Sequence, residues 1–174
     1  MHSNQQQLAP LLFTFFLACF FSTSLQASQL AEPQGAVILT VSGNIQHKNL
    51  GEQAVFDRQM LESLEQKQII TDTPWTEGSN PYQGPLGRAL IEAVGADQAT
   101  QMIITALNDY QSKVPVSDFF NYPIILALQK NDRYLRIRDR GPLFIIYPFD
   151  DHPHLHTEMH YNRSVWQVKA IEFQ

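Results

Sequence analysis

The chain has 174 residues, a formal net charge of −5 and a single cysteine, Cys19. A mildly acidic chain without a Lys/Arg run argues against binding to a phosphate backbone, which needs several cations converging on one face, so we expect no nucleic acid partner. One cysteine allows neither an intramolecular disulfide nor a multi-thiolate metal site. The length suits one domain with one proper core.

Residues 1–27 are predicted to form a secretory signal peptide. Residues 8–21 are mostly apolar, but this run is shorter than the roughly 20 residues that a spanning helix needs, and small and polar residues follow it up to Ala27. Cleavage there would remove Cys19 and deliver a periplasmic or secreted protein. The alternative is a form anchored through a lipid on Cys19.

After a linker over 28–35, the first half of the domain alternates strand and helix signals. A β-branched apolar run over 36–41 predicts a strand. Asp57 has the chemistry of a helix cap, which indicates a short helix over 57–65. Ile69 and Ile70 predict a strand that leads into a loop over 73–82.

The second half has one clear helix and many short strands. Leu86, Leu90, Ile91 and Val94 share one helical face, and Gly95 stands where a helix commonly ends. Strands are then predicted over 102–106, 110–114, 124–128, 134–137, 143–147 and 165–173, with a hairpin turn at 130–132. Many strands and few helices predict a single α+β domain over 36–174 built on one mixed sheet.

Four segments resemble one known family: TPWTEGSNPYQGPLGRALIEAVGA over 73–96, ALNDYQSKVPV over 106–116, RDRGPLFIIYPFDD over 138–151 and RSVWQVKAIEF over 163–173. On these residues the chain resembles the molybdopterin-dependent oxidoreductases of the sulfite-oxidase fold. The resemblance implies that fold and a molybdopterin cofactor. In the family, a cysteine near the segment TDTPWTEG ligates molybdenum, whereas this chain offers only the hydroxyls of Thr71, Thr73, Thr76 and Ser79 there. An alcohol is a weak metal ligand, and such hydroxyls also serve simply to cap and turn a loop.

The resemblance also implies a pocket that binds the cofactor or another small anionic ligand. Its predicted residues are Thr73, Trp75, Asn108, Asp109, Tyr110, Arg140, Gly141 and Arg163. Aromatic rings beside polar groups are typical of small-molecule sites, and guanidinium groups bind phosphate through paired hydrogen bonds. The structural alternatives are that Trp75 packs onto the sheet and that Arg138 and Arg140 balance the charge of Asp139 on a solvent-facing strand.

A second candidate site is the segment that contains Asp150, Glu158 and four histidines. If the segment were extended, side chains two residues apart would share one face, and imidazole with carboxylate suits zinc or copper. The sequence therefore predicts a metal site at His152, His154, His156 and His160.

Three functions are compatible with these patterns. The first is a non-catalytic module that binds a small anionic ligand and serves a membrane-bound sensor or a redox partner. The second is a molybdopterin-dependent oxidoreductase with non-cysteine metal ligation. The third is a periplasmic zinc- or copper-binding protein that uses the histidine segment.

Overall fold

The computed structural model of the protein describes residues 30–174. The predicted signal peptide and Cys19 lie outside the described residues. Within 30–174, no helix is long and apolar enough to cross a membrane.

Strands and short helices alternate along the described chain. The strands are β1 (Leu39–Gly43), β2 (Ala54–Phe56), β3 (Gln66–Thr73), β4 (Thr76–Pro85), β5 (Gln101–Ala106), β6 (Gln111–Pro115), β7 (Ile125–Ala127), β8 (Gln129–Lys130), β9 (Arg133–Tyr134), β10 (Phe144–Ile146) and β11 (Val168–Phe173). The helices are α1 (Arg58–Ser63), α2 (Gly87–Val94), α3 (Ser117–Asn121) and α4 (Glu158–Arg163), with single 3₁₀ turns at Ile137–Asp139 and Pro153–Leu155.

These strands form three sheets in the described chain, where the sequence had predicted one. The largest has the order β2-β1-β11-β5-β6 and is mixed, because β1 pairs in parallel with β11 while its other pairs are antiparallel. A second, antiparallel sheet has the order β3-β4-β8-β9, and β7 pairs with β10 in a third. Many strands and few helices confirm the α+β class.

Several helix and turn boundaries lie where individual residues of the sequence predicted them. The side chain of Asp57 accepts a hydrogen bond of 2.9 Å from the backbone N–H of Met60, so it caps α1 as predicted. Gly95 ends α2 in the left-handed conformation, with φ of 64°. Asn131 and Asp132 also have positive φ and form the predicted turn between β8 and β9.

The predicted loop over 73–82 is wrong. Thr76–Pro85 is a strand that pairs with β3, and Tyr82 is fully buried opposite Ile69. Burial of an aromatic ring and backbone pairing with β3 along most of the strand outweigh the loop-forming tendency of Gly, Ser, Asn and Pro in this segment. The hairpin then packs tightly: a Cβ atom at Gly84 would lie 2.1 Å from the carbonyl oxygen of Leu126 in β7.

Two buried clusters hold the domain together. The larger cluster lies between the mixed sheet and α2, with Leu39, Leu90 and Ile104 among its members. The smaller one lies under the β3–β4 hairpin around Tyr82 and Phe144. Trp75 and Trp166 pack against the smaller cluster from outside, which places them at the edge of the candidate site.

Candidate functional site

An aromatic wall stands at the tip of the β3–β4 hairpin. The ring of Trp75 lies 5.0 Å from that of Trp166, 5.9 Å from that of Phe144 and 6.1 Å from that of Tyr161, measured between centroids. The Trp166 and Phe144 rings meet edge to face at 6.2 Å. Such contacts fix the rings beyond the effect of burial alone. Trp75 is half-buried, so it both packs onto the core and lines a pocket.

One side of this wall opens into an aromatic pocket of about 240 Å³. Trp75, Tyr110, Tyr161 and Trp166 supply its rings, and its polar groups include Asn108, Asn162 and Ser164. The Oδ1 atom of Asn108 accepts the backbone N–H of Tyr110 at 3.2 Å. The Tyr110 hydroxyl donates to the carbonyl of Asn162 at 3.2 Å. The structure thus brings together the predicted residues Trp75, Asn108 and Tyr110.

A larger, cationic pocket of about 630 Å³ is lined by Phe144 and by the segment that includes β8, β9 and the following 3₁₀ turn. Its charged side chains are Lys130, Arg133, Arg136, Arg138, Arg140 and Asp139. Five cations and one carboxylate leave four net positive charges in a protein whose overall charge is −5. The chain therefore concentrates positive charge at one concave site, although its overall charge is negative.

Lys130 is affected by its position in this pocket. Burial, together with the nearby positive charge of Arg140, lowers the pKa of Lys130, while Asp139 partly offsets the effect. The Nε atom of Arg136 pairs with Asp139 at 2.5 Å, so the single carboxylate of the pocket is already engaged. An incoming anion would relieve the repulsion between Lys130 and Arg140.

Arg140 joins the two pockets. Its guanidinium carbon lies 5.7 Å from the centroid of the Trp166 ring, a cation–π distance, while the side chain also lines the cationic pocket. Arg140 has φ of 71°, a left-handed conformation at the end of the 3₁₀ turn Ile137–Asp139. A strand was predicted over 134–137, but β9 ends at Tyr134. The chain then turns, and this turn brings the arginines together.

Gly141 has a structural role in this turn. A Cβ atom there would lie 2.2 Å from the carbonyl oxygen of Leu135. The glycine thus permits close approach of the chain to itself, whereas the sequence analysis had placed Gly141 among the residues that line a pocket. Gly141 still supports the pocket, because the segment that it closes carries Arg136, Arg138 and Arg140.

Arg163 lies away from the cationic pocket. Its Nη1 atom lies 2.9 Å from Oδ2 of Asp118, and the two side chains are only 17% and 12% exposed. The Tyr147 hydroxyl donates to the same carboxylate oxygen at 2.9 Å. Burial and the charge of Asp118 raise the pKa of Tyr147 far above its usual range, so it stays a donor. The structure thus pairs Arg163 with Asp118, and Arg163 does not line the cationic pocket.

The remaining pocket candidates have partners within the protein. Thr73 is buried, and its hydroxyl lies 2.8 Å from that of Thr76. Asp109 is exposed with φ of 64° in the turn between β5 and β6, and its carboxylate pairs with Lys169 at 2.6 Å. Asp109 thus shapes the turn that presents Asn108 and Tyr110.

The hydroxyls near the position of the family cysteine do not form a metal-ligand set. The Thr73 and Thr76 hydroxyls bond to each other, Ser79 donates to Asp150 at 2.6 Å, and Thr71 accepts the backbone N–H of Asp150 at 3.1 Å. Each is a neutral alcohol already engaged with the protein, and the sequence has no cysteine within 30–174. These residues do not fit molybdenum ligation of the family kind.

The histidine segment is not extended, so its imidazoles do not share one face. It contains the 3₁₀ turn Pro153–Leu155 and then α4, which Thr157 caps. Two histidines, His152 and His154, pack around the ring of Tyr122. His160 lies beside Tyr147, while His156 faces Asp72. Among residues 30–174, no three of the four imidazoles lie close enough together to share one metal ion.

Sequence reasoning missed most of the cationic pocket. Lys130, Arg133 and Arg136 were not singled out, although five of the twelve Lys and Arg residues of the chain fall within 130–140. That density was the available signal. The pattern was not recognised as a binding site, because alternating charges in a predicted strand are also typical of an ordinary solvent-exposed surface.

The comparisons with known proteins bear on the fold. No protein-family model and no curated protein matches the chain. Among solved structures, it is similar to the sulfane dehydrogenase SoxCD from Paracoccus pantotrophus, with a TM-score of 0.58 and 14% identity over 78% of this chain. The match covers 37% of that longer chain. At this identity the likeness shows the fold alone, and it agrees with the α+β sulfite-oxidase-type fold that the sequence resemblance implies.

Proposed function

We propose that this domain is a non-catalytic module that binds a small anionic ligand in the cationic pocket. The observation that carries the proposal is the concentration of four net positive charges in a cavity of an acidic protein. A cluster of like charges around a concave site attracts anions from solution, and Arg133, Arg136 and Arg138 are exposed and accessible to them.

The residues that line the pocket indicate which chemical class of ligand it would bind. Guanidinium groups form paired hydrogen bonds with phosphate or carboxylate, and three or more of them here point to a multiply charged group. The Phe144 ring lines the same pocket, and the Arg140 guanidinium lies 5.7 Å from the centroid of the Trp166 ring, so aromatic surface lies beside the charges. A phosphate or polycarboxylate attached to a planar ring would satisfy both features.

A working molybdopterin oxidoreductase is the second candidate, and the fold similarity favours it. Within that reading, the cationic pocket would hold the phosphate of the pterin through Arg140. The hydroxyls of Thr71, Thr73, Thr76 and Ser79 are engaged elsewhere, which speaks against metal ligation. Near-stoichiometric molybdenum with pterin in the purified, untagged protein would favour this candidate over a binding module.

The proposal includes export to the periplasm or the medium, on the basis of the leader pattern over 1–27. It also includes an interaction with a membrane-bound sensor or a redox partner, because a binding module that catalyses no reaction acts through another protein. Sequencing the N-terminus of the exported protein tests the first point directly: cleavage near Ala27 supports it, and retention of residues 1–27 opposes it.

The binding test uses titration calorimetry with pyrophosphate at low salt. In Arg140→Met the side chain keeps its length and loses its charge. A hydrogen bond to a charged group contributes about 1.5–3 kcal/mol, so we expect roughly a 10- to 100-fold loss of affinity.

The matched control is Arg88→Met, which removes the same charge from an exposed pair with Glu65 outside the pocket. It should change the affinity by less than about twofold, since exposed ion pairs contribute little. Equal weakening by both variants would mean that only net charge matters. That result, or the absence of saturable binding to the wild type, would overturn the proposal.

A further inference from the structure

Three potential metal-ligating side chains meet at a second place, at the outer edge of the β3–β4 hairpin. Asp72 lies in β3, Asp150 follows β10, and His156 follows the 3₁₀ turn Pro153–Leu155. One ligand atom from each lies within 4.8 Å of the other two. The fold therefore assembles two carboxylates and an imidazole from segments that are distant in sequence.

The spacing of two of these groups fits a shared ion better than a direct contact. The Nε2 atom of His156 lies 3.7 Å from Oδ1 of Asp72. This distance is too long for a hydrogen bond. Two ligands bound to one tetrahedral zinc at about 2.1 Å are separated by about 3.4 Å, so a small closure would complete the geometry.

A second observation points to a missing cation. The Asp72 side chain as a whole is 48% exposed, but its Oδ1 atom is screened from water and has no hydrogen-bond partner among residues 30–174. Such an oxygen loses water without gaining a donor, although the exposed part of the carboxylate reduces the cost. A metal ion between Asp72 and His156 would supply the missing partner.

The other two ligands are held in place by their neighbours. Asp150 accepts the Ser79 hydroxyl at 2.6 Å and the backbone N–H of Asp72 at 3.0 Å, which orients its carboxylate. The Nδ1 atom of His156 lies 2.9 Å from the Tyr161 hydroxyl. With the proton on Nδ1 donated to Tyr161, the lone pair of Nε2 faces Asp72, an arrangement that metal-binding histidines commonly use.

We propose that Asp72, Asp150 and His156 bind a divalent zinc-type cation through two carboxylates and one imidazole, with a fourth position open to water or another ligand. Of the predicted histidine ligands, only His156 takes part. The site is distinct from the cationic pocket, whose positive charges oppose metal binding. Zinc there would tie the hairpin to the segment that follows β10.

The test is zinc titration of the full chain after treatment with a chelator, followed by calorimetry and by the visible absorption of bound cobalt. We expect one zinc per protein in the wild type. His156→Gln and Asp72→Asn should each weaken binding at least tenfold and abolish the absorption of tetrahedral cobalt. His154→Gln is the matched control, because His154 lies by Tyr122 outside the cluster, and it should change the affinity by less than twofold.

Melting curves in chelator show whether each variant folds; should Asp72→Asn fail to fold, His156→Gln carries the test alone. Equal weakening by His154→Gln and His156→Gln would mean adventitious binding by surface histidines and would overturn the proposal. Binding of less than one zinc per protein, or a His156→Gln variant with wild-type affinity, would overturn it as well.

Discussion

Asp118 is expected to be the most sensitive polar residue of the domain. Its carboxylate receives both the Arg163 guanidinium and the Tyr147 hydroxyl, each at 2.9 Å. In Asp118→Ala, the guanidinium would keep its charge without a partner, and the tyrosine would lose its acceptor. The substitution therefore tests whether Arg163 is a structural residue, as its burial indicates.

The expected loss of stability follows from this burial. Removing one partner of a fully buried ion pair costs about 3–5 kcal/mol. Here the side chains are 17% and 12% exposed, so water still reaches the guanidinium and reduces the penalty. We expect a loss of about 2–4 kcal/mol in the free energy of unfolding, or roughly 6–12 °C in the melting temperature of a domain of this size.

Thermal and urea unfolding of a short series separates the contributions. Tyr147→Phe removes one hydrogen bond and should cost about 1 kcal/mol. The double variant Asp118→Ala/Arg163→Met removes both charges and should recover part of the loss. Arg163→Met should bind pyrophosphate like the wild type. A structural role for Arg163 would be refuted if Asp118→Ala cost no more than Tyr147→Phe, or if Arg163→Met weakened pyrophosphate binding tenfold.

Two further predictions concern packing and protonation. Gly84→Ala would press a Cβ atom to 2.1 Å from the backbone of β7, so it should cost about 3 kcal/mol in urea unfolding. Gly78→Ala has open space and should cost only about 1 kcal/mol for its positive φ; equal costs would contradict the tight β4–β7 contact. Burial, followed by the charge of Arg163, lowers the pKa of His160 below 6.5. Its contribution to stability is complete above pH 6.5 and is lost as the pH falls toward the folded-state pKa. The melting temperature of the wild type should therefore fall more between pH 7.5 and 5.5 than that of His160→Gln; parallel curves would refute this.

The sequence predicted the elements that local chemistry controls. The cap at Asp57, the left-handed residue Gly95 and the turn at Asn131 and Asp132 each depend on a few neighbouring atoms. The 73–82 segment was mispredicted because its strand is stabilised by pairing with β3 and by burial of Tyr82, both of which are tertiary effects.

The candidate site was predictable only in part, for the same reason. The family resemblance grouped Trp75, Asn108 and Tyr110, and in the structure these residues line one pocket. The sequence shows the positive charges over 130–140, but their convergence depends on the 3₁₀ turn after β9. Asp72 carried no sequence signal at all, because its proximity to His156 arises from the packing of a hairpin against a distant segment.

The central claim is that the cationic pocket receives a small anion, and its location can be measured directly. We would record amide chemical shifts of ¹⁵N-labelled protein during titration with pyrophosphate at low salt. The account predicts saturable shifts concentrated in residues 130–140 and around Phe144, which line the pocket. Shifts centred on another face, or none that saturate, would contradict the account.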